Sequence, residues 1–430
     1  MFWFLYLTTN FYIAGSTVLE ALISVGPCRD ARLAVQKAQE KNWVFPTPNH
    51  ELVFLDLLIV AYLPNEEEII MDRVSYALDK IEYPTDRIRI NLVYNTPFPI
   101  EPLETDLRNL ALRKPRFRSI KVPDSTSKAD NLNYFFSLET DSDIMAIFDA
   151  DHYPHPYGPR WAAERFMQDK GTDLVQGRCI IFNSTSSWLS AMISVEFDKI
   201  YAVSHPGRAA LWGFGIFTGS NGYWRTPLLQ KLKMDGTVLT EDIDSAMRAI
   251  SQGAKIVHDL NVTSYELAPT SLPAFWKQRL RWAQGWTQVS LYHCRMTFNK
   301  PVEGTRDLKT RLGLLSLLLV RESSYYLVTQ YLCLVVSFVF TDFPKSPRAL
   351  GEFLFFPFAV SQWFFVISVI CLLATLIVTN RVKSEFASRW MFILFSIIYT
   401  PYLVVMATMG LYGQARQVAG YSRWNATKRT

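Results

Sequence analysis

A chain of 430 residues, 49% of them hydrophobic, is long enough for more than one structural unit, and its apolar residues concentrate toward the two ends. The net charge of +5 is too mild for a nucleic-acid-binding surface, and the basic residues sit beside apolar segments, where lipid headgroups account for them. The five cysteines, Cys28, Cys179, Cys294, Cys333 and Cys371, lie far apart without CxxC spacing, which argues against a disulfide framework and for buried thiols in a reducing compartment.

Residues 1–26 contain no Lys or Arg and a single acid, Glu20. A cleaved signal peptide starts with basic residues, so this stretch reads as an uncleaved membrane anchor. Arg29, Arg32, Lys37 and Lys41 follow, and the positive-inside rule puts what comes next in the cytosol. Residues 50–300 then alternate strand and helix. The apolar run 57–64 predicts a buried parallel strand, and Asn65 is placed to cap a helix carrying Ile69, Ile70, Val74, Ala77 and Leu78. Strands are predicted at 87–95, 118–122 and 143–151, with helices near 102–113 and from Lys128 onward. This order predicts an α/β domain, a largely parallel sheet covered by helices, with ligands bound beyond the carboxyl ends of the strands.

Beyond it, residues 301–322 read as an interfacial helix. Residues 323–413 hold apolar runs at 324–341, 353–379 and 391–412, each near the ~20 residues that cross a bilayer. Three such spans would leave the basic tail 414–430 outside, against the positive-inside tendency, so the span count stays open at three or four.

The chemistry concentrates in short motifs. Asp149 and Asp151 end an apolar strand before a turn, where two carboxylates can converge on Mg²⁺ or Mn²⁺ beside phosphate oxygens, although an ordinary acidic turn has the same look. Thr240-Glu241-Asp242 opens an amphipathic helix; its acids either complement the helix dipole or supply a general base. Within Gln278-Arg279-Leu280-Arg281-Trp282, residues Gln278, Arg281 and Trp282 share one helix face, which Trp286 extends. Such a face suits a sugar and a diphosphate, and it equally suits a membrane-interface helix. Lys128 with Asn131 and Asn133 at a helix start favours a phosphate-bearing ligand, and the small-residue loop 217–222, with Gly219 and Ser220, lets a substrate approach the backbone.

In this order and spacing the motifs resemble the family 2 glycosyltransferases, the group of cellulose, chitin, hyaluronan and poly-N-acetylglucosamine synthases, over about residues 55–295 and the membrane layout. The chain also looks like a short type-2 enzyme of filamentous fungi. The resemblance implies a Rossmann-like GT-A domain, a Mg²⁺ or Mn²⁺ cofactor, and inverting transfer from a nucleotide-sugar, with UDP-sugar as the donor, to a growing β-linked glycan. It implies membrane-lipid partners, a cytosolic catalytic domain in an integral membrane protein of the plasma membrane, and no nucleic-acid partner. By resemblance, Asp149 lies near the nucleotide diphosphate, Asp151 is the metal ligand, Lys128 belongs to the donor site and Asp242 is the base. Gln278, Arg279, Arg281 and Trp282, with Glu241, Gly219 and Ser220, would hold the diphosphate and the acceptor end. One departure stands out: where the family has an acid contacting uracil, this chain has Asn95, whose amide can still bond a base edge. A lipid glycosyltransferase of the ceramide type shares the pattern, and a non-catalytic membrane scaffold is the alternative from another class.

Overall fold

The computed structural model describes residues 2–299, 307–341, 343–354 and 359–421. The basic tail from 422 onward and the start of the 301–322 segment lie outside the described residues. Eight strands form one sheet: β1 (Leu55–Tyr62), β2 (Ile88–Asn95), β3 (Phe117–Lys121), β4 (Ile144–Asp149), β5 (Tyr153–Pro154), β6 (Leu174–Ile181), β7 (Gly222–Arg225) and β8 (Ile256–Glu266). Their order is β3-β2-β1-β4-β7-β6-β8-β5.

Alternation in β1 explains the two-sided core. Leu57 and Ile59 pack into one apolar cluster with Val74, Leu107 and Phe166. Leu58 and Val60 pack into the other with Leu132, Ile243 and Met247. A strand buried on both faces reads as an unbroken apolar run, as the sequence does here. Helices Ile70–Lys80, Leu103–Arg113 and Gly158–Gln168 cover the first face; Lys128–Phe136, Thr226–Leu232 and Glu241–Ser251 cover the second.

The sheet is mixed rather than largely parallel. β7 runs antiparallel to both β4 and β6, and β5 runs antiparallel to β8. The register Ile147↔Gly222 sets the start of β7 beside the end of β4. Reversal of this strand therefore delivers the preceding loop, with Gly219 and Ser220, to the carboxyl edge where Asp149 stands. Asn65 does not cap a helix over 66–80. Residues Leu63–Glu66 form their own short turn of helix, the Glu66 carboxylate accepts from the Tyr62 amide at 2.8 Å, and the longer helix begins at Ile70.

The N-terminal helix continues past residue 26, as one helix Phe2–Glu40 that includes Arg29, Arg32 and Lys37. It packs along helix Ala359–Arg381 and against His205–Trp212, where its buried Glu20 meets Arg208 at 3.3 Å. The segment expected to lie at the interface is helical from Leu308, runs through a π-turn at Ser316–Val320 into Arg321–Thr341, and buries Leu314 and Leu318 in the second apolar cluster of the sheet. Among the described residues, Leu7–Glu40 is long and apolar enough to cross a bilayer. Arg389–Tyr399 and Pro401–Val418, bent by 61°, make a second such length if taken together, whereas the apolar helix Val366–Arg381 is shorter. The bend falls at Pro401, whose missing amide hydrogen breaks the helical ladder.

Candidate active site

The carboxyl ends of β1, β2 and β4 face a cavity of about 650 Å³. Asp149, the last residue of β4, is fixed from two sides. Its amide donates to Ser220 Oγ at 3.2 Å, and its carboxylate accepts from Lys128 Nζ, which also donates to the Gly219 carbonyl at 2.7 Å. Burial works against the Lys128 ammonium, yet the carboxylates of Asp149, Glu241 and Asp242 outweigh it and raise its pKa, so the lysine stays charged. Ser127 caps this lysine's helix by accepting from the Asp130 amide, which sets Lys128 at the first helical position.

Asp151 is fully buried beside them, and ligand atoms of Asp149, Asp151 and His152 all lie within 4.8 Å of one another. Two carboxylates and an imidazole are a donor set that fits Mg²⁺ or Mn²⁺. His152 escaped the sequence reading, which took it as part of a turn. Its position directly after the Asp-Ala-Asp run is the signal that could have found it. The Nδ1 of His152 lies 3.0 Å from Ser264 Oγ, an orienting contact of the kind that steadies metal-binding imidazoles.

Across the cavity stands Asp242, in the first turn of helix Glu241–Ser251. Thr240 occupies the cap position but its side chain makes no capping bond. Gly219 has a φ of +96°, and a Cβ there would sit 2.8 Å from Asp242 Oδ2, so both the backbone conformation and the approach of the carboxylate require glycine. Burial pushes the Asp242 carboxyl up to about 7; the Glu241 charge adds to this, while Lys128 and Arg281 oppose it. A carboxyl tuned near neutrality is the form a general base needs.

Gln278, Arg281, Trp282 and Trp286 line the same cavity from helix Leu272–His293. Gly285 lets this helix close on the Thr240-Glu241-Asp242 segment, since a Cβ there would lie 2.9 Å from the Thr240 amide nitrogen. Arg281 donates to the Leu239 carbonyl at 3.2 Å, tying the two motifs together. Arg279, expected to help hold the diphosphate, also lines the cavity, with its guanidinium already engaged. It is buried, donates to both carboxylate oxygens of Glu196, and stacks over Phe275 and Trp282. Asn95 lines the cavity, but its amide already donates to the Ser125 carbonyl and accepts from Asn131 Nδ2, each at 2.9 Å.

The family description "Glycosyl transferase family group 2" matches residues 144–412. The chain is 25% identical over 240 residues to the probable glycosyltransferase YdaM of Bacillus subtilis (strain 168), covering 55% of this chain and 56% of that protein. It is 26% identical over 289 residues to the probable glucomannan 4-beta-mannosyltransferase 7 of Oryza sativa subsp. japonica, covering 67% of this chain and 46% of that one. The chain thus spans about half the length of these curated relatives. Among solved structures it resembles the mannosyltransferase PcManGT from Pyrobaculum calidifontis, in complex with GDP-Man and Mn²⁺, with a TM-score of 0.54 at 16% identity, covering 86% of this chain and 100% of that chain. That likeness is one of fold. With the family match running through β4, both later motifs and the C-terminal helices, over more than half of the chain, the protein belongs to glycosyl transferase family group 2.

Proposed function

We propose that the protein is a divalent-metal-dependent, inverting glycosyltransferase that moves a sugar from a nucleotide-sugar to a β-linked glycan at a membrane. The observation that carries this reading is the placing of Asp242, with its pKa near 7, in one cavity with Lys128, Arg281, Asp149 and His152, the last two sharing a ligand set with the buried Asp151. When bound there, Mg²⁺ or Mn²⁺ would neutralise diphosphate charge. Lys128 and Arg281 meet the remaining negative charge, and Asp242 takes the proton of the acceptor hydroxyl as it attacks the anomeric carbon. One displacement inverts the anomeric centre and needs no second carboxylate as nucleophile.

For the donor, similarity to glucomannan 4-beta-mannosyltransferases favours a mannosyl group as the sugar transferred. Asn95 in place of the uracil-contacting acid weakens the case for the UDP-sugar of the sequence reading. Purified full-length protein given GDP-mannose and a panel of UDP-sugars with Mn²⁺ is expected to release nucleoside diphosphate from GDP-mannose, and excess chelator is expected to abolish the release. Full activity in chelator would sink the metal-dependent reading. A lipid-borne acceptor is the second reading. It is favoured by the cavity wall that Tyr12, Ile13, Ser16 and Thr17 of the N-terminal helix contribute, and partition of the labelled product into organic solvent distinguishes it from a polymer.

We place the catalytic domain on the cytosolic side of the plasma membrane, on the strength of the basic cluster from Arg29 to Lys41 and the exposed apolar side chains of the long helices. In sealed vesicles with the cytosolic face outward, residues 50–300 are expected to be open to protease; their protection would reverse the assignment.

A further inference from the structure

His152 stands at the junction of two ligand sets. Ser264 Oγ lies 3.8 Å from Cys179 Sγ, to which it can donate, and 3.0 Å from His152 Nδ1. In the tautomer with the hydrogen on Nδ1, the Nε2 lone pair is left for a metal. That Nε2 lies 3.5 Å from Glu266 Oε2. On this side, ligand atoms of His152, Cys179 and Glu266 lie within 4.8 Å of one another, just as those of Asp149, Asp151 and His152 do on the other. The set is assembled by the sheet: β6 and β8 run in parallel register with Cys179 opposite Ser264 and Ile181 opposite Glu266, and His152 follows β4. His152, Cys179 and Glu266 all line the catalytic cavity, so an ion that enters it can reach them.

The two sets differ in chemistry. Two carboxylates with an imidazole suit a hard cation, whereas a thiolate, an imidazole and a carboxylate with one position open suit zinc and its softer relatives. We infer that Cys179, His152 and Glu266 form a second metal site, for a thiophilic divalent cation such as Zn²⁺, and that its occupancy inhibits transfer by withdrawing the shared His152 from the Asp149–Asp151 side. The inhibitory half rests on the metal-dependent reading above; the binding half does not. On binding, the Cys179 thiol gives its proton to water and the thiolate takes the metal in its place. No electron changes hands.

Cd²⁺ is the spectroscopic probe, because a thiolate–Cd²⁺ bond absorbs in the ultraviolet. Added to metal-free, full-length protein in detergent, one equivalent is expected to give this band, and Zn²⁺ is expected to remove it by displacement. Cys179→Ser is expected to abolish the band. Ser264→Ala, which leaves all three ligands in place, is expected to weaken Cd²⁺ binding roughly 10–100-fold and keeps the test available if the cysteine variant fails to fold. In turnover with Mn²⁺, the half-inhibiting Zn²⁺ concentration is expected to rise as Mn²⁺ is raised. No band at one equivalent, or a band that survives Cys179→Ser, overturns the site. A band accompanied by Zn²⁺ inhibition that ignores Mn²⁺ overturns the sharing of His152. Failure of the transferase reading looks different, as an intact band with no turnover on any donor.

Discussion

Asp242→Asn is expected to cut sugar transfer by at least about a hundredfold while leaving donor and Mn²⁺ binding near wild type. The substitution keeps the size of the side chain and its place in the first helical turn, so the close approach to Gly219 survives; what it removes is the ability to accept a proton. Single-turnover transfer alongside direct binding of donor and Mn²⁺ separates the two. A near-normal rate would refute the role of base, and loss of Mn²⁺ binding would make Asp242 part of the metal site. The pH dependence gives an independent check. With its pKa at about 7, Asp242 holds a proton below that pH and cannot take another, so the rate is expected to climb as pH rises through this region. Glu241 raises the Asp242 value and Lys128 lowers it. Glu241→Gln should therefore move the climb to lower pH, and Asp242→Asn should remove it.

Asp151→Asn is expected to fail one step earlier. This carboxylate is fully buried among the ligand atoms of Asp149 and His152, and the amide keeps its volume without its charge. Outer-shell partners of a metal cost roughly 10–100-fold in affinity when lost, and a direct ligand is expected to cost at least about a hundredfold. Titration of Mn²⁺ followed by its electron-paramagnetic resonance signal should show weak binding, and donor affinity in Mn²⁺ should fall with it. Tight Mn²⁺ binding by Asp151→Asn would remove this residue from the ligand set. The contrast with Asp242→Asn, in which metal and donor still bind and transfer stops, is what assigns the two acids different work.

How much of this was legible in the sequence depends on the distance over which each residue is determined. The strand ending in Asp149 could be read because Ile144 to Phe148 are apolar on both faces, and a strand buried on both faces has that signature. The common face of Gln278, Arg281 and Trp282 follows from helical periodicity alone. The antiparallel β7 could not be read: Gly222–Arg225 is too short to carry a pattern, and its direction is set by its neighbours β4 and β6. The ion pair of Arg279 was hidden because its partner Glu196 lies 83 residues away. Asn65 looked like a helix cap because nothing local shows that the Glu66 carboxylate turns back to the Tyr62 amide. His152 went unremarked for a related reason. A histidine in a turn means little until Ser264 and Glu266 are brought beside it by a strand about 110 residues further on.

The N-terminal helix has a consequence for how the molecule can be divided. Tyr12, Ser16, Thr17 and Glu20 form part of the wall of the catalytic cavity, and Glu20 neutralises Arg208 within it. The helix that would hold the protein in a bilayer is thus also one side of the reaction vessel. Cutting it away would leave Arg208 without its counter-charge and open the chamber to water on that side, so on the proposed reading a variant freed from the bilayer would lose part of its reaction chamber with its anchor.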